Sequence, residues 1–287
     1  IEGAYSRAGL ASDIEVIEDY PSHYSAYNRR KHRWLRGDWQ IAGWLLPRVP
    51  DESGQHVVNP ISISAQWKIL DNLRRSLVEP AIFVLFVLGW TALPGSPVLW
   101  TVATVAILFA PSWSEFLFEL IRAAVLRKSA IAGDALDAIV ASNINVFLML
   151  TFLAHQMLIS LDAVVRTLVR RMVTQQRLLQ WETAAQAEIG GHKRTWLDAY
   201  LDLTPALSLG LGLLLWFVRR PALAAALPIL LLWAASKLVS QWLNRPPRPV
   251  RSAVPAKDER LLRRVALHTW RYFAEFSTEE HNWLIPD

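Results

Sequence analysis

From Pro80 to Leu93, and again from Pro97 to Trp113, the chain is almost unbroken in apolar residues, the two runs parted only by Pro94-Gly95-Ser96. A second pair, Leu203 to Val218 and Ala222 to Leu243, is joined by Arg219-Arg220-Pro221. The first two runs fall slightly short of the ~20 residues needed to cross a bilayer, a deficit that flanking residues make up. The pattern predicts two helical hairpins and four spans. Ile139 to Leu161 is also apolar, yet it carries Asn143, Asn145, His155 and Gln156. Its continuation sets His155, Asp162, Arg166 and Arg170 along one helical stripe, with Asp162 four residues before Arg166 as suits an ion pair. That pattern predicts a long helix lying in the membrane interface.

Around these runs the periodicity changes. Between Ser64 and Leu77 the apolar residues Trp67, Leu70, Leu73 and Leu77 recur every three to four positions, opposite Lys68, Asp71, Arg74 and Arg75. This predicts an amphipathic helix on the membrane surface. The segment before it reads as soluble mixed structure: helical spacing up to Gly9, a short strand at Ile14 and Val16, and a helix from Ala26 onward with Trp34, Ile41 and Leu45 near one face. Residues 47–60 form a polar loop bounded by prolines. After Asn244 a Pro- and Arg-rich linker leads to a helix through Leu261–Phe276. The fold class is mainly α, a polytopic membrane protein with about four transmembrane helices plus amphipathic interface helices. The expected divisions are 1–46, 47–78, 79–243 and 244–287.

Charge adds an orientation. Of 287 residues 53% are hydrophobic, the formal charge is +5, and there are 14 Trp and no Cys. The cations sit beside apolar runs, which favours a phospholipid bilayer as partner and argues against nucleic acid. The absence of cysteine excludes disulfides and thiolate metal sites. With four spans, the basic stretches before Pro80, between Trp113 and Ser129, between Arg166 and Arg194, and after Asn244 fall on one side. Only Arg219 and Arg220 dissent. By the positive-inside rule both ends are then cytoplasmic. Trp90, Trp100, Trp113, Trp216, Trp233 and Trp242 read as interface anchors, and Lys237 as snorkelling or facing protein. The chain begins at Ile1 without a signal-peptide layout, and it reads as an internal piece of a longer polypeptide.

The candidate chemistry lies in Arg29–Gln40, "RRKHRWLRGDWQ", with five cations, a histidine and two tryptophans. An arginine fork can hold a diphosphate through paired charge-assisted bonds, and an indole face suits the C–H face of a pyranose. The same residues also fit an interfacial helix with tryptophan anchors and snorkelling arginines. His23, His32 and His155 show no metal-ligand spacing and read as structural. For His155 and Asp162, a surface-facing stripe is the simpler reading than a pairing between them.

"RKHRWLRGDWQ" resembles the Q-x-x-R-W signature of processive family-2-type glycosyltransferases such as cellulose synthases, with Arg30 in the Gln place. The wider stretch Ile1–Ile41, together with "ISAQWKILDNLRRSLVEPA", "AHQMLISLDAVVRTLVRR" and "TWRYFAEFSTEEHNWLIPD", resembles bacterial cyclic β-1,2-glucan synthases. The resemblance implies the edge of a GT-A-type α/β catalytic domain at the N-terminal end and a phosphorylase-like domain beginning at the C-terminal end. It implies a bacterial inner-membrane enzyme that transfers glucose from UDP-glucose to a growing β-1,2-glucan, later cyclised, with a divalent cation, Mg2+ or Mn2+. Arg33 would contact the diphosphate, Trp34 would stack on the acceptor glucose, and Arg30 would lie near the acceptor. Glu2, Glu18, Asp19, Arg36 and Asp38 are possible supports. The catalytic base and the metal ligands of this resemblance lie upstream of Ile1, so the piece alone is expected to be inactive. A linear β-glucan synthase, or a non-enzymatic transporter or scaffold segment, remains an alternative reading of the same residues.

Overall fold

A computed structural model describes residues 23–51, 53–176, 195–245 and 256–279. Glu2, Glu18, Asp19 and the strand expected near Ile14 lie outside the described residues, as does most of the Pro- and Arg-rich linker. The described residues are dominated by helices: α1 (Tyr24–Gln40), α2 (Ile63–Ser76), α3 (Val78–Thr91), α4 (Pro97–Leu126), α5 (Ser129–Val169), α6 (Trp196–Val218), α7 (Arg220–Leu243) and α8 (Ala256–Phe276). A 3-10 turn, Ile41–Leu45, ends α1, and a π-helical turn, Arg170–Thr174, ends α5. The chain divides into two units, residues 1–245 and 246–287. The second contains α8, the helix expected through Leu261–Phe276.

Both expected hairpins form. Gly95, at φ +89°, turns α3 into α4, a left-handed backbone that only glycine adopts without penalty. Arg219 lies between α6 and α7 and donates to the carbonyls of Leu93 (3.3 Å) and Gly95 (2.8 Å), which joins the two hairpin turns at one end of the bundle. The other end belongs to α1. There the backbone N–H of Tyr24 donates to Asn244 Oδ1 after α7 (2.8 Å), Ser25 Oγ donates to Asp198 at the start of α6 (3.2 Å), and Lys31 pairs with Glu79 at the start of α3. Asp198 also closes a capping box with Thr195, so one carboxylate both starts α6 and docks it on α1.

Among the described residues four helices are long and apolar enough to cross a membrane, the expected number but not the expected set. They are Pro97–Leu126, Ala130–Thr174, Trp196–Val218 and Arg220–Leu243. Val78–Thr91 has only 14 residues, too few at 1.5 Å per residue to cross alone. The middle segment, read as interfacial because of its polar residues, meets the length and composition of a span. His155 and Gln156 do not argue against burial, because protein groups satisfy their hydrogen bonds.

The core joins α3, α5, α6 and α7 through Phe86, Trp90, Leu150, Leu153, Leu215, Ala226 and Trp233. Trp90 and Trp233 are 1% and 0% exposed, so they are packing residues and not the interface anchors expected. Their rings lie 5.9 Å apart, and Phe83 stacks on Trp233 at 5.1 Å. Each indole N–H is satisfied within protein, Trp90 by Thr101 Oγ1 (2.8 Å) and Trp233 by the Leu150 carbonyl (3.0 Å). In lipid, close van der Waals packing and interhelical hydrogen bonds of this kind hold helices together. Trp113, Trp216 and Trp242 are exposed, as anchors would be. Lys237 faces protein and pairs with Asp202 at 2.8 Å.

Two further expectations change. Residues 47–60 are not all loop: β1 (Arg48–Pro50) and β2 (His56–Val58) pair antiparallel, with Val49 opposite Val57. Asp51 Oδ1 builds the turn by accepting from Ser53 N–H and Gln55 N–H. Trp34 does not share a face with Ile41 and Leu45, because α1 tightens at Ile41. Those two residues instead join Trp39 and Trp44 around Ile61, Ile69 and Leu73.

Candidate functional site

Helix α1 has two chemically distinct faces. Asn28, His32 and Leu35, spaced by four and three residues, are buried. Tyr27, Lys31, Trp34 and Asp38 lie along the adjoining face, again at helical spacing, and line a cavity of about 770 Å³ between α1 and α2.

The buried face carries two polar clusters whose bonds cross between helices. Gln156 Nε2 donates to the Tyr24 hydroxyl (2.7 Å) and to Asn28 Oδ1 (2.8 Å). Tyr24 O–H then lies 2.9 Å from His155 Nδ1, and His155 Nε2 lies 3.2 Å from the Leu197 carbonyl. One tautomer satisfies both ends: Nδ1 accepts and Nε2–H donates. His32 Nε2 meets Asp162 Oδ2 at 2.9 Å, and the same carboxylate accepts from Arg166 (2.9 Å) and Tyr200 (3.0 Å). The expected Asp162–Arg166 pair is therefore present, but His155 and Asp162 belong to a contact between helices and not to a surface stripe. His32 has a structural role, as its sequence context suggested. Burial holds its imidazole below the usual value, opposed by the Asp162 bond.

The other face is open. Trp34 is 51% exposed, and the Arg30 guanidinium lies over its ring at 4.6 Å from the centroid, in cation–π contact. Trp34 and Arg33 both line the cavity, together with Tyr27, Lys31 and Asp38 of α1 and Asn72, Arg75 and Ser76 of α2. Arg30 reaches the site through its stack on Trp34. Asn72 Nδ2 donates to Asp38 Oδ1 (3.0 Å) and its own Oδ1 accepts from Arg75, so α2 holds the acidic corner of the groove in place. Burial raises the Asp38 carboxyl above the usual value, opposed by the Asn72 bond and the nearby Arg75. Arg36 points elsewhere: burial and the guanidinium groups of Arg170 and Arg166 lower its pKa, which places it towards the end of α5.

Three of the residues singled out in the sequence are thus brought together, Arg30, Arg33 and Trp34, with Asp38 beside them and Arg36 apart. Asn72 and Arg75 were missed. The amphipathic pattern assigned Arg75 to a solvated face, and nothing in the sequence says which helix that face meets. Among the described residues no three His, Asp or Glu side chains converge as a metal site.

No protein-family profile matches the chain. Over 299 aligned residues, covering the entire chain, it is 36% identical to the cyclic beta-(1,2)-glucan synthase NdvB of Rhizobium meliloti (strain 1021). The chain spans about a tenth of that relative's length. From end to end, the chain is therefore a relative of one segment of a cyclic β-1,2-glucan synthase.

Proposed function

We propose that this chain is the membrane segment of a glucosyltransferase that builds β-1,2-glucan from UDP-glucose, with the α1–α2 groove contributing to the donor and acceptor sites. The observation that carries this reading is the groove itself: Arg33, Lys31 and Arg75 supply positive charge, and Trp34 and Tyr27 supply aromatic faces, around one cavity of about 770 Å³. Glycosyl transfer leaves a nucleoside diphosphate whose charge grows as the sugar departs. Arg33 offsets that charge by fixed electrostatics where water is partly excluded. Trp34, with one face taken by Arg30, presents its exposed surface to the C–H face of the acceptor glucose. Arg30 holds the indole from behind and lies near the acceptor without contacting it. Asp38 and Asn72 orient the wall, and Arg36 supports the helix from its far side.

The reading places the general base, the divalent cation with its ligands, and the phosphorylase-like domain in other parts of the full polypeptide. The α1 end of the bundle carries Arg29 to Arg36, Arg166, Arg170 and Arg171, against Arg219 and Arg220 at the hairpin turns and Arg127 and Lys128 at the opposite end of α5. This bias supports a bacterial inner-membrane protein with the α1 end and both chain ends in the cytoplasm.

The test is incorporation of labelled glucose from UDP-glucose into glucan by the full-length protein in membranes. Trp34→Ala should lower incorporation by about tenfold through loss of the stacking platform. Undiminished synthesis by that variant rejects the groove as acceptor site. Absence of any transfer by the wild-type full-length protein rejects the activity.

A further inference from the structure

Along the contact between α1 and α5, residues at helical spacing meet one another in turn. Asn28 meets Gln156, His32 meets Asp162, and the Gln40 carbonyl accepts from Arg171 Nη1 (3.2 Å). Each of these steps is complementary. The step between them, at Arg36, is not. Arg36 lies one turn after His32, and its pKa is lowered first by burial and then by the guanidinium groups of Arg170 and Arg166. Asp162 offsets part of this charge, but the same carboxylate already accepts from His32, Arg166 and Tyr200. The arginines have protein contacts of their own, yet like charges brought together repel. An anion among them would turn that repulsion into attraction.

The surroundings narrow the kind of anion. Helix α5 ends and α6 begins at this level, where the Arg166 guanidinium lies over the Trp196 ring at 4.4 Å from its centroid. Both helices have the length and composition of membrane spans, so their ends lie where hydrocarbon gives way to water. An open hollow of about 400 Å³ runs along the end of α5, walled by Asp162, Arg166 and Arg170 and by Val165, Val169 and Thr174. Val165 and Val169 are exposed, and Met172 and Val173 follow at 76% and 75% exposure. A soluble phosphate would use the guanidinium forks and leave this apolar border in water. A phospholipid uses both, its phosphate on the arginines and its acyl chains over the valines and the methionine. A zwitterionic headgroup would bring a further cation to the cluster, whereas an anionic one brings none.

We propose that the junction of α1 with the end of α5 is a binding site for an anionic phospholipid, whose phosphate is held by Arg36, Arg166 and Arg170. Arg171 stays with α1, where a Cβ on Gly43 would overlap its guanidinium. The lipid completes the ladder at its uncomplementary step and ties α1, which carries the groove on another face, to the end of a membrane span. The proposal does not depend on the glucan-synthase reading.

The test places the full-length protein in phosphatidylcholine nanodiscs with a trace of phosphatidylglycerol that carries a photoreactive group beside its headgroup. Adducts are mapped by mass spectrometry. The expected result is labelling of residues 165–174 roughly fivefold stronger, or more, than with a phosphatidylcholine probe of the same design. Arg36→Gln and Arg170→Gln should each lower that labelling about fivefold, the weight of one cation at an anionic lipid surface. Labelling around the exposed Trp113 should not change. Equal labelling of residues 165–174 by the two probes overturns the proposal, and so does labelling that persists undiminished in both variants. Loss of labelling on adding inorganic pyrophosphate, but not potassium chloride of equal ionic strength, assigns the site to a soluble phosphate and overturns it too. Should either variant fail to fold, the ratio of the two probes on the wild-type protein decides.

Discussion

The two faces of α1 carry similar residue types to different ends. On the α5 side, Asn28 and His32, with Tyr24 beside them, meet Gln156, His155 and Asp162, and Asp162 pairs in turn with Arg166 at the edge of the contact. On the α2 side, Arg33, Lys31 and Arg75 gather around an open space with an indole half exposed to it. Polar groups bonded to one another across a helix contact fix geometry, whereas convergent charge and aromatic surface around a void can receive a ligand. One helix therefore serves as dock on one face and as binding wall on the other. Substitutions on the two faces should separate into those that unfold the protein and those that silence it.

The largest effect is expected on the closed face. Asp162→Ala leaves His32, Arg166 and Tyr200 without their common acceptor. Removing the shared acceptor of a partly exposed pair and two further hydrogen bonds costs about 1–3 kcal/mol. The variant should show a lowered thermal melt in detergent, and activity lost only in step with folded protein. A variant that melts like wild type but transfers no glucose would move Asp162 to the catalytic side and break the division.

On the open face, Arg33→Ala should leave the melt unchanged and lower glucose transfer by roughly 100-fold, the usual cost of removing one fixed electrostatic contact to a developing charge. Arg33→Lys keeps the charge but loses the bidentate fork, and should fall between Arg33→Ala and wild type. An Arg33→Ala protein that transfers normally, yet melts early, would show this face to be structural as well.

Much of this arrangement is legible in the chain. The spacing of Arg30, Arg33, Trp34 and Asp38 marks a helix with a cationic, aromatic face, and Pro94-Gly95-Ser96 and Arg219-Arg220-Pro221 mark the hairpin turns. What could not be read is the identity of each face's partner. The 3.6-residue period that places His155, Asp162 and Arg166 on one stripe is the same whether the stripe meets water or another helix. Its partners, Tyr24 and His32, lie about 130 residues away. Trp90 and Trp233 sit in apolar runs much like those of Trp113 and Trp242, and only the packing of four helices distinguishes core from lipid contact. The hairpin at Arg48–Val58 escaped because three-residue strands are too short to show alternation. Asn72 and Arg75 look solvated in any helical projection, and they acquire a role only because α2 packs against α1.

The smallest expected effect sharpens the comparison most, because it isolates a single proton on the closed face. His32 is buried among Asp162, Arg36 and Arg166, and burial outweighs the Asp162 bond in holding its pKa below the ordinary value. The unfolded chain, with an imidazole near the ordinary value of about 6.5, therefore binds this proton more readily than the folded protein does. The sign follows from linkage: the contribution is fully present above about pH 6.5, and it is lost as the pH falls towards the depressed folded value. Wild-type protein should melt earlier at pH 5.5 than at pH 7.5. His32→Gln keeps an N–H donor for Asp162 but cannot take up the proton, so it should lose less of its melting temperature over the same interval. A smaller loss in wild type than in His32→Gln would mean that folding raises the His32 pKa and that the ring is charged in the folded state at pH 5.5. The contact with Asp162 would then be an ion pair and not a neutral hydrogen bond, and α1 would be docked by charge on its closed face as well as lined by charge on its open one.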